Sequence, residues 1–136
     1  MATIHVDLDT IEATTAKALE AHGAKPWIAS CVAQAVRVAE AHSNKICGLF
    51  YLQSYCSQLL SGRVKGDVEP QVHQPKPASV MVDAKLGFAQ AAFSRGLDTA
   101  LLAAKTNGVA TLAICHSHTC TSMGYFTEQI ARAGYI

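Results

Sequence analysis

Apolar and polar residues follow one another along this chain mostly in stretches of helical period, broken by glycine and proline. Ile4 to Val6 is a short strand candidate. Asp7 or Asp9 then caps a helix of good formers that reaches His22 and stops at Gly23. Pro26 opens a second helix, in which Ile28, Val32, Ala35, Val36 and Ala39 recur at three and four and so mark one buried face. Leu49, Leu52, Cys56, Leu59 and Leu60 repeat that spacing in a third helix, ended by Ser61 and Gly62.

The pattern changes after Arg63. As far as Pro77 the chain carries prolines, lysines and arginine with little periodicity, which reads as an exposed connection with room for an edge strand around Val72. Val80 to Asp83 is a short strand. Gly87 to Thr106 is a long helix with Phe88, Ala92, Leu97, Leu101 and Ala104 on one side, closed by Asn107 and Gly108 in the C-cap position. Val109 to Ile114 is a continuous apolar run, hence a buried strand. Thr121 or Ser122 caps a last helix that runs through Phe126 and Ile130 to about Ala133. This order predicts an α+β fold with mixed α/β layers: a helical amino-terminal segment followed by strand, helix, strand and helix. Its divisions are residues 1–62, a connection at 63–78, and an α/β part at 79–136. A further strand is expected beyond Ile136, since Gly134 ends the last helix there.

Composition narrows the function classes. Half of the 136 residues are apolar, enough for one core. Eleven basic and ten acidic side chains create no field that would collect a phosphate backbone or an anionic membrane, so nucleic acid and membrane are not expected partners. No run approaches the roughly 20 apolar residues of a membrane span, and no secretion signal opens the chain, so a cytoplasmic location is expected. Five cysteines without a scaffold spacing suit a compartment where thiols stay reduced.

The densest chemistry lies from Cys115 to Cys120, between a buried strand and a helix start. In extended geometry His116, His118 and Cys120 share one face, and imidazole exchanges protons near neutral pH. A zinc reading of the same residues lacks a second ligand pair at the spacing structural sites use, so no metal is expected. The second candidate segment, from His42 to Gly48, offers Lys45 as a cation for a carboxylate and Cys47 as a thiol near a helix start. Ser43 or Asn44 could equally be plain helix caps. No Gly-x-Gly-x-x-Gly fingerprint follows a strand, so a Rossmann fold has no support.

Four features together resemble the malate/lactate dehydrogenase type 2 family, which includes ureidoglycolate dehydrogenase and the piperideine- and pyrroline-2-carboxylate reductases. They are the opening helix pair, Gly48 to Leu52 leading to Tyr55, the run from Val82 to Gln90, and the stretch from Gly108 through His118 to Gly134. The resemblance implies a non-Rossmann enzyme that uses NADH or NADPH to reduce a 2-oxoacid or cyclic imino acid, as a homodimer. It also implies that residues 79–136 begin a cofactor and substrate domain and that most cofactor contacts lie beyond Ile136. The chain would then pair with a carboxy-terminal part; the alternatives are a catalytically inactive fragment or partner-dependent subunit, and a small cysteine/histidine metal or redox module. Where the family has Ser-His-Gly, this chain has Ile46-Cys47-Gly48, and Tyr51 stands at the position of the substrate-holding arginine. The family's second motif puts a histidine at Thr119 or, in the cyclic imino acid reductases, at His118. The resemblance thus assigns proton transfer to His118, with His116 and Cys47 as further catalytic candidates. Asn44, Lys45, Tyr51 and Thr119 become substrate-side candidates, and Thr121 and Ser122 cofactor-side ones.

Overall fold

The computed structural model describes residues 4–136. Helix α1, Leu8–Ala21, starts where Asp7 accepts hydrogen bonds from the Thr10 backbone N–H (2.7 Å) and hydroxyl (2.8 Å). Those bonds hold the Asp7 carboxyl below its ordinary value. Helix α2, Pro26–Ala41, carries Pro at its first position and buries Ala29 and Ala33 besides the expected stripe. The wider face follows from two neighbours. Ile28, Val32 and Val36 pack in a core with Leu19 of α1 and with Tyr55 and Leu59 of α3, Leu52–Leu60. Ala35 packs instead beside Phe93, Tyr125 and Phe126. The third helix was expected from Leu49, but Lys45–Cys47 and Leu49–Tyr51 form two 3₁₀ turns first. The Leu49 N–H donates to Glu40 Oε1 at 2.7 Å, which ties this junction to α2.

Ile4 to Val6 forms no strand. The residues lie exposed and no ladder runs beside them, so an apolar triplet alone is not enough. The connection does contain the edge strand, β1, Gln71–Lys76, exposed throughout and with Pro75 in the stretch where its pairing register shifts. It pairs antiparallel with β2, Ser79–Asp83, which pairs parallel with β3, Thr111–Cys115. Between β2 and β3 runs α4, Ala89–Asn107, which covers one face of this three-stranded sheet. Val82, Ala84 and Ala92 form the contact, with Leu112 and Ile114 packed against them. Gly108 ends α4 in the left-handed region, its N–H on Ala104 O at 2.8 Å, as its position predicts.

Strand β3 departs from expectation. Thr111 and Ala113 are exposed, Leu112 and Ile114 only half-buried, and Val109 before them is 69% exposed. Among the described residues β3 has a neighbour on one edge only and α4 on one face only, so its apolar run is half covered. Helix α5, Met123–Arg132, buries Tyr125 and Phe126, and Phe126 meets Phe93 edge-on with centroids 5.0 Å apart. Among the described residues no helix is long and apolar enough to cross a membrane.

The loop after α3 returns to the start of α2 through a close backbone passage. Lys25 N–H donates to Gly66 O at 2.8 Å, and a Cβ on Gly66 would stand 2.8 Å from Ala24 Cα and 2.9 Å from Gly23 O. Backbone cannot yield as a side-chain tip does. We expect Gly66→Ala to destabilise the chain by about 1–3 kcal/mol, measured as a lower midpoint in urea denaturation. A midpoint equal to the wild type's would mean that the passage opens freely.

Candidate active site at the ends of the parallel strands

Asp83 and Cys115 are register partners at the carboxyl ends of β2 and β3, and the chain leaves both strands through strained turns. Lys85, Leu86 and His116 all have φ near +50 to +66, and Thr121 follows at +57. Each such non-glycine residue costs on the order of 1 kcal/mol or more, and such strain gathers where backbone is shaped for a task. Backbone bonds lace the corner together: Ala84 N to Cys115 O (3.0 Å), Leu86 N to His116 O (2.7 Å), His118 N to Gly87 O (2.9 Å) and Lys65 N to Leu86 O (3.0 Å). The last of these brings the loop after α3, with Arg63, to the exit of β2.

The left-handed turn at His116 breaks the extended run, so the expected common face of His116, His118 and Cys120 does not form. His116 is exposed, with Nδ1 3.1 Å from Asp83 Oδ1. Asp83 Oδ1 also accepts the Lys85 N–H at 2.8 Å, and this bond first, then His116, holds the carboxyl below its ordinary value. Cys115 completes a cluster whose ligand atoms lie within 4.8 Å of one another.

His118 turns the other way, into the molecule. Its ring sits edge-on to Tyr55 and Phe88, centroids 5.8 and 5.9 Å away. Nε2 lies 2.7 Å from Gln58 Oε1 on α3, and Nδ1 is buried with no partner among the described residues. Burial lowers its pKa from the ordinary 6.5, and the charge of Arg63 lowers it further, so the ring is mostly neutral at pH 7.

Two cavities meet at this residue. A polar one of about 530 Å³ is lined by Tyr51, Gln58, Arg63, Leu86, Ser117, His118 and Thr119. An apolar groove of about 980 Å³ runs between α4, β3 and α5 and shares Ser117, His118 and Thr119 with it. The stripe of Leu97, Leu101 and Ala104 on α4 is the wall of that groove rather than closed core. Of the sequence-derived candidates, Tyr51, His118 and Thr119 come together here. Asn44, Lys45, Cys47 and His116 line neither cavity, and Asn44 to Cys47 are engaged in the 3₁₀ junction. Thr121 and Ser122 also stand outside both. Thr121 Oγ1 accepts from the Tyr55 hydroxyl (3.3 Å) and donates to Cys120 O (2.7 Å), and Ser122 is the N-cap of α5 without a side-chain cap bond. Gln58 and Arg63 were missed. Gln58 looked like a polar position on an amphipathic helix, and Arg63 like one of several charges in an exposed connection; no local pattern marks either.

Residues 6–136 match the malate/L-lactate dehydrogenase family. The chain is 34% identical over 115 residues to a Δ1-pyrroline-2-carboxylate/Δ1-piperideine-2-carboxylate reductase of Pseudomonas syringae pv. tomato, covering 85% of this chain and 34% of that protein. It is 33% identical over 131 residues to a (2R)-3-sulfolactate dehydrogenase (NADP(+)) of Chromohalobacter salexigens, covering 96% of this chain and 39% of that one. Among solved structures, malate dehydrogenase from Entamoeba histolytica superposes with a TM-score of 0.90 at 20% identity, over 98% of this chain and 37% of that one, which shows the shared fold. The chain therefore spans between a third and two fifths of the length of the curated relatives just named. A match over residues 6–136, with that fold beneath it, places the chain in the malate/L-lactate dehydrogenase family.

Proposed function

We propose that this chain is the amino-terminal portion of an NAD(P)H-dependent oxidoreductase that reduces a 2-oxoacid or a cyclic imino acid. The observation that carries this reading is His118 standing where a polar cavity with an unpaired cation meets an apolar groove. A carboxylate in the polar cavity meets Arg63, whose guanidinium makes no ion pair among the described residues, with Tyr51, Ser117 and Thr119 as hydroxyl partners. The adjacent carbon then lies near His118, which gives a proton to the carbonyl oxygen or imine nitrogen during reduction and takes it back during oxidation. The nicotinamide supplies the hydride. His116 and Cys47 stand off from this centre as secondary catalytic candidates, and Asn44 and Lys45 as secondary substrate-side ones. An assay of an enzyme carrying this chain tests the reading. Consumption of NADH or NADPH with a 2-oxoacid or with Δ1-piperideine-2-carboxylate is expected, and no turnover of either class would overturn it.

The groove suits part of the cofactor. Its apolar wall matches a nicotinamide ring, but none of its lining residues is Lys or Arg, so a pyrophosphate finds no cation there. Thr121 and Ser122, at the amino end of α5, are this chain's own candidates for a cofactor phosphate. The open groove and the free edge of β3 are the surfaces we assign to a carboxy-terminal part or a second copy in a homodimer. The five unpaired cysteines support a reducing, cytoplasmic setting. The absence of Lys and Arg from the groove lining favours the second reading, in which the 136 residues alone are an inactive, partner-dependent subunit. The isolated chain is accordingly expected to show no micromolar affinity for NADH or NADPH when nicotinamide fluorescence is titrated. Micromolar binding would mean that these residues already hold the phosphates.

A further inference from the structure

We infer that Gln58 is a positioning residue for His118: its amide oxygen holds the imidazole in the Nε2–H form and so leaves Nδ1 as the nitrogen that gains or loses a proton. This deepens the reductase reading and rests on it.

Ser54 and Gln58 are one helical turn apart on α3, and Gln58 Nε2 donates to Ser54 Oγ at 2.8 Å. That bond turns the amide so that Oε1 faces His118 Nε2 at 2.7 Å. An amide oxygen only accepts, so Nε2 must carry the hydrogen. The neutral ring has a single N–H, which leaves Nδ1 with its lone pair. Nδ1 is buried and meets no donor among the described residues. A buried polar atom without a partner is costly, so this lone pair is the ring's one unmet hydrogen-bonding group among the described residues. Tyr55 and Phe88 flank the ring edge-on, and the bond to Gln58 keeps Nε2 on the side of α3.

The arrangement has a mechanistic consequence. The Nε2–H···Oε1 bond is the same in the neutral and the protonated ring, so the gain or loss of a proton at Nδ1 requires no rearrangement of the protein. With the amide reversed, Gln58 would donate to a bare Nε2, and protonation there would force the amide to turn. The charged or titratable groups that line the same cavities are Tyr51, Arg63, Cys120 and Tyr135, with Tyr55 in ring contact. None of them is hydrogen-bonded to either ring nitrogen. Among the described residues Gln58 is therefore the one group bonded to the ring that selects the tautomer.

Long-range ¹H–¹⁵N spectra of the full 136-residue chain read the tautomer directly, with the His118 signals assigned by their loss in His118→Asn. The wild type is expected in the Nε2–H form. Gln58→Leu should reduce the preference for that form about tenfold, the worth of one hydrogen bond. Gln58→Glu should keep it and raise the His118 midpoint by about one pH unit, since a carboxylate favours the imidazolium. An Nδ1–H ring in the wild type overturns the inference, as does an unchanged tautomer ratio in a folded Gln58→Leu. If Gln58→Leu does not fold, Gln58→Glu decides: a midpoint that fails to rise overturns it. These readouts need no turnover, so a failed activity assay sinks the reductase reading and leaves the tautomer result standing.

Discussion

His118→Asn, in an enzyme carrying this chain, lowers the turnover of a 2-oxoacid or cyclic imino acid by about 10²- to 10⁴-fold, the range of a lost general acid. Asparagine fills much of the ring's space between Tyr55 and Phe88 but cannot exchange a proton, so cofactor affinity and folding should change little. The pH dependence has a definite sign. Burial, and then Arg63, holds the His118 pKa below 6.5, so the imidazolium that reduction requires is lost as pH rises through that lowered value. Reduction therefore falls with rising pH, and oxidation, which needs the neutral ring, rises. A bound carboxylate offsets the charge of Arg63, so the limb in kcat should lie to the alkaline side of the limb in kcat/KM. Near-native turnover of His118→Asn from pH 6 to 9, with activity abolished by Cys47→Ala instead, would move the proton donor to the 3₁₀ junction and sink the assignment.

Arg63→Met raises KM for a carboxylate substrate about 10- to 100-fold, the effect of removing one charge-assisted hydrogen bond of roughly 1.5–3 kcal/mol. Methionine keeps an unbranched apolar stem, so the loss is one of charge and fork geometry. Arg63 is the guanidinium on the polar cavity, where Tyr51 offers only a hydroxyl. Two further readouts separate binding from structure. A substrate analogue without the carboxylate should be handled alike by variant and wild type, and the His118 midpoint should rise in the variant, because one cause of its lowering has gone. Equal KM values for the carboxylate in both proteins would place the anchor elsewhere.

Local physics was legible wherever a residue acts on its own neighbours. Asp7 caps α1 because its carboxylate reaches the N–H three residues on. Gly108 closes α4 because only a residue at ease in the left-handed region turns the chain there. Pro75 sits on an edge strand because it has no N–H to give a central one. The family was legible too, from the run between Val82 and Gln90 and the stretch after Gly108.

The sequence alone was enough for the order of α1 to α5 with β2 and β3, the caps at Asp7 and Gly108, the α+β class and the family. Tertiary structure alone decided which apolar residues are covered, since burial depends on neighbours and not on a residue's own hydropathy: β3 reads as core but has one covered face, and Leu97 and Leu101 line an open groove. It also decided the make-up of the site. His116 and His118 are two residues apart, yet a left-handed turn sends one to Asp83 and the other to Gln58, 60 residues away in the chain. A hydrogen bond of that span leaves no periodic trace, because its two ends are placed by separate elements that meet only when the core closes.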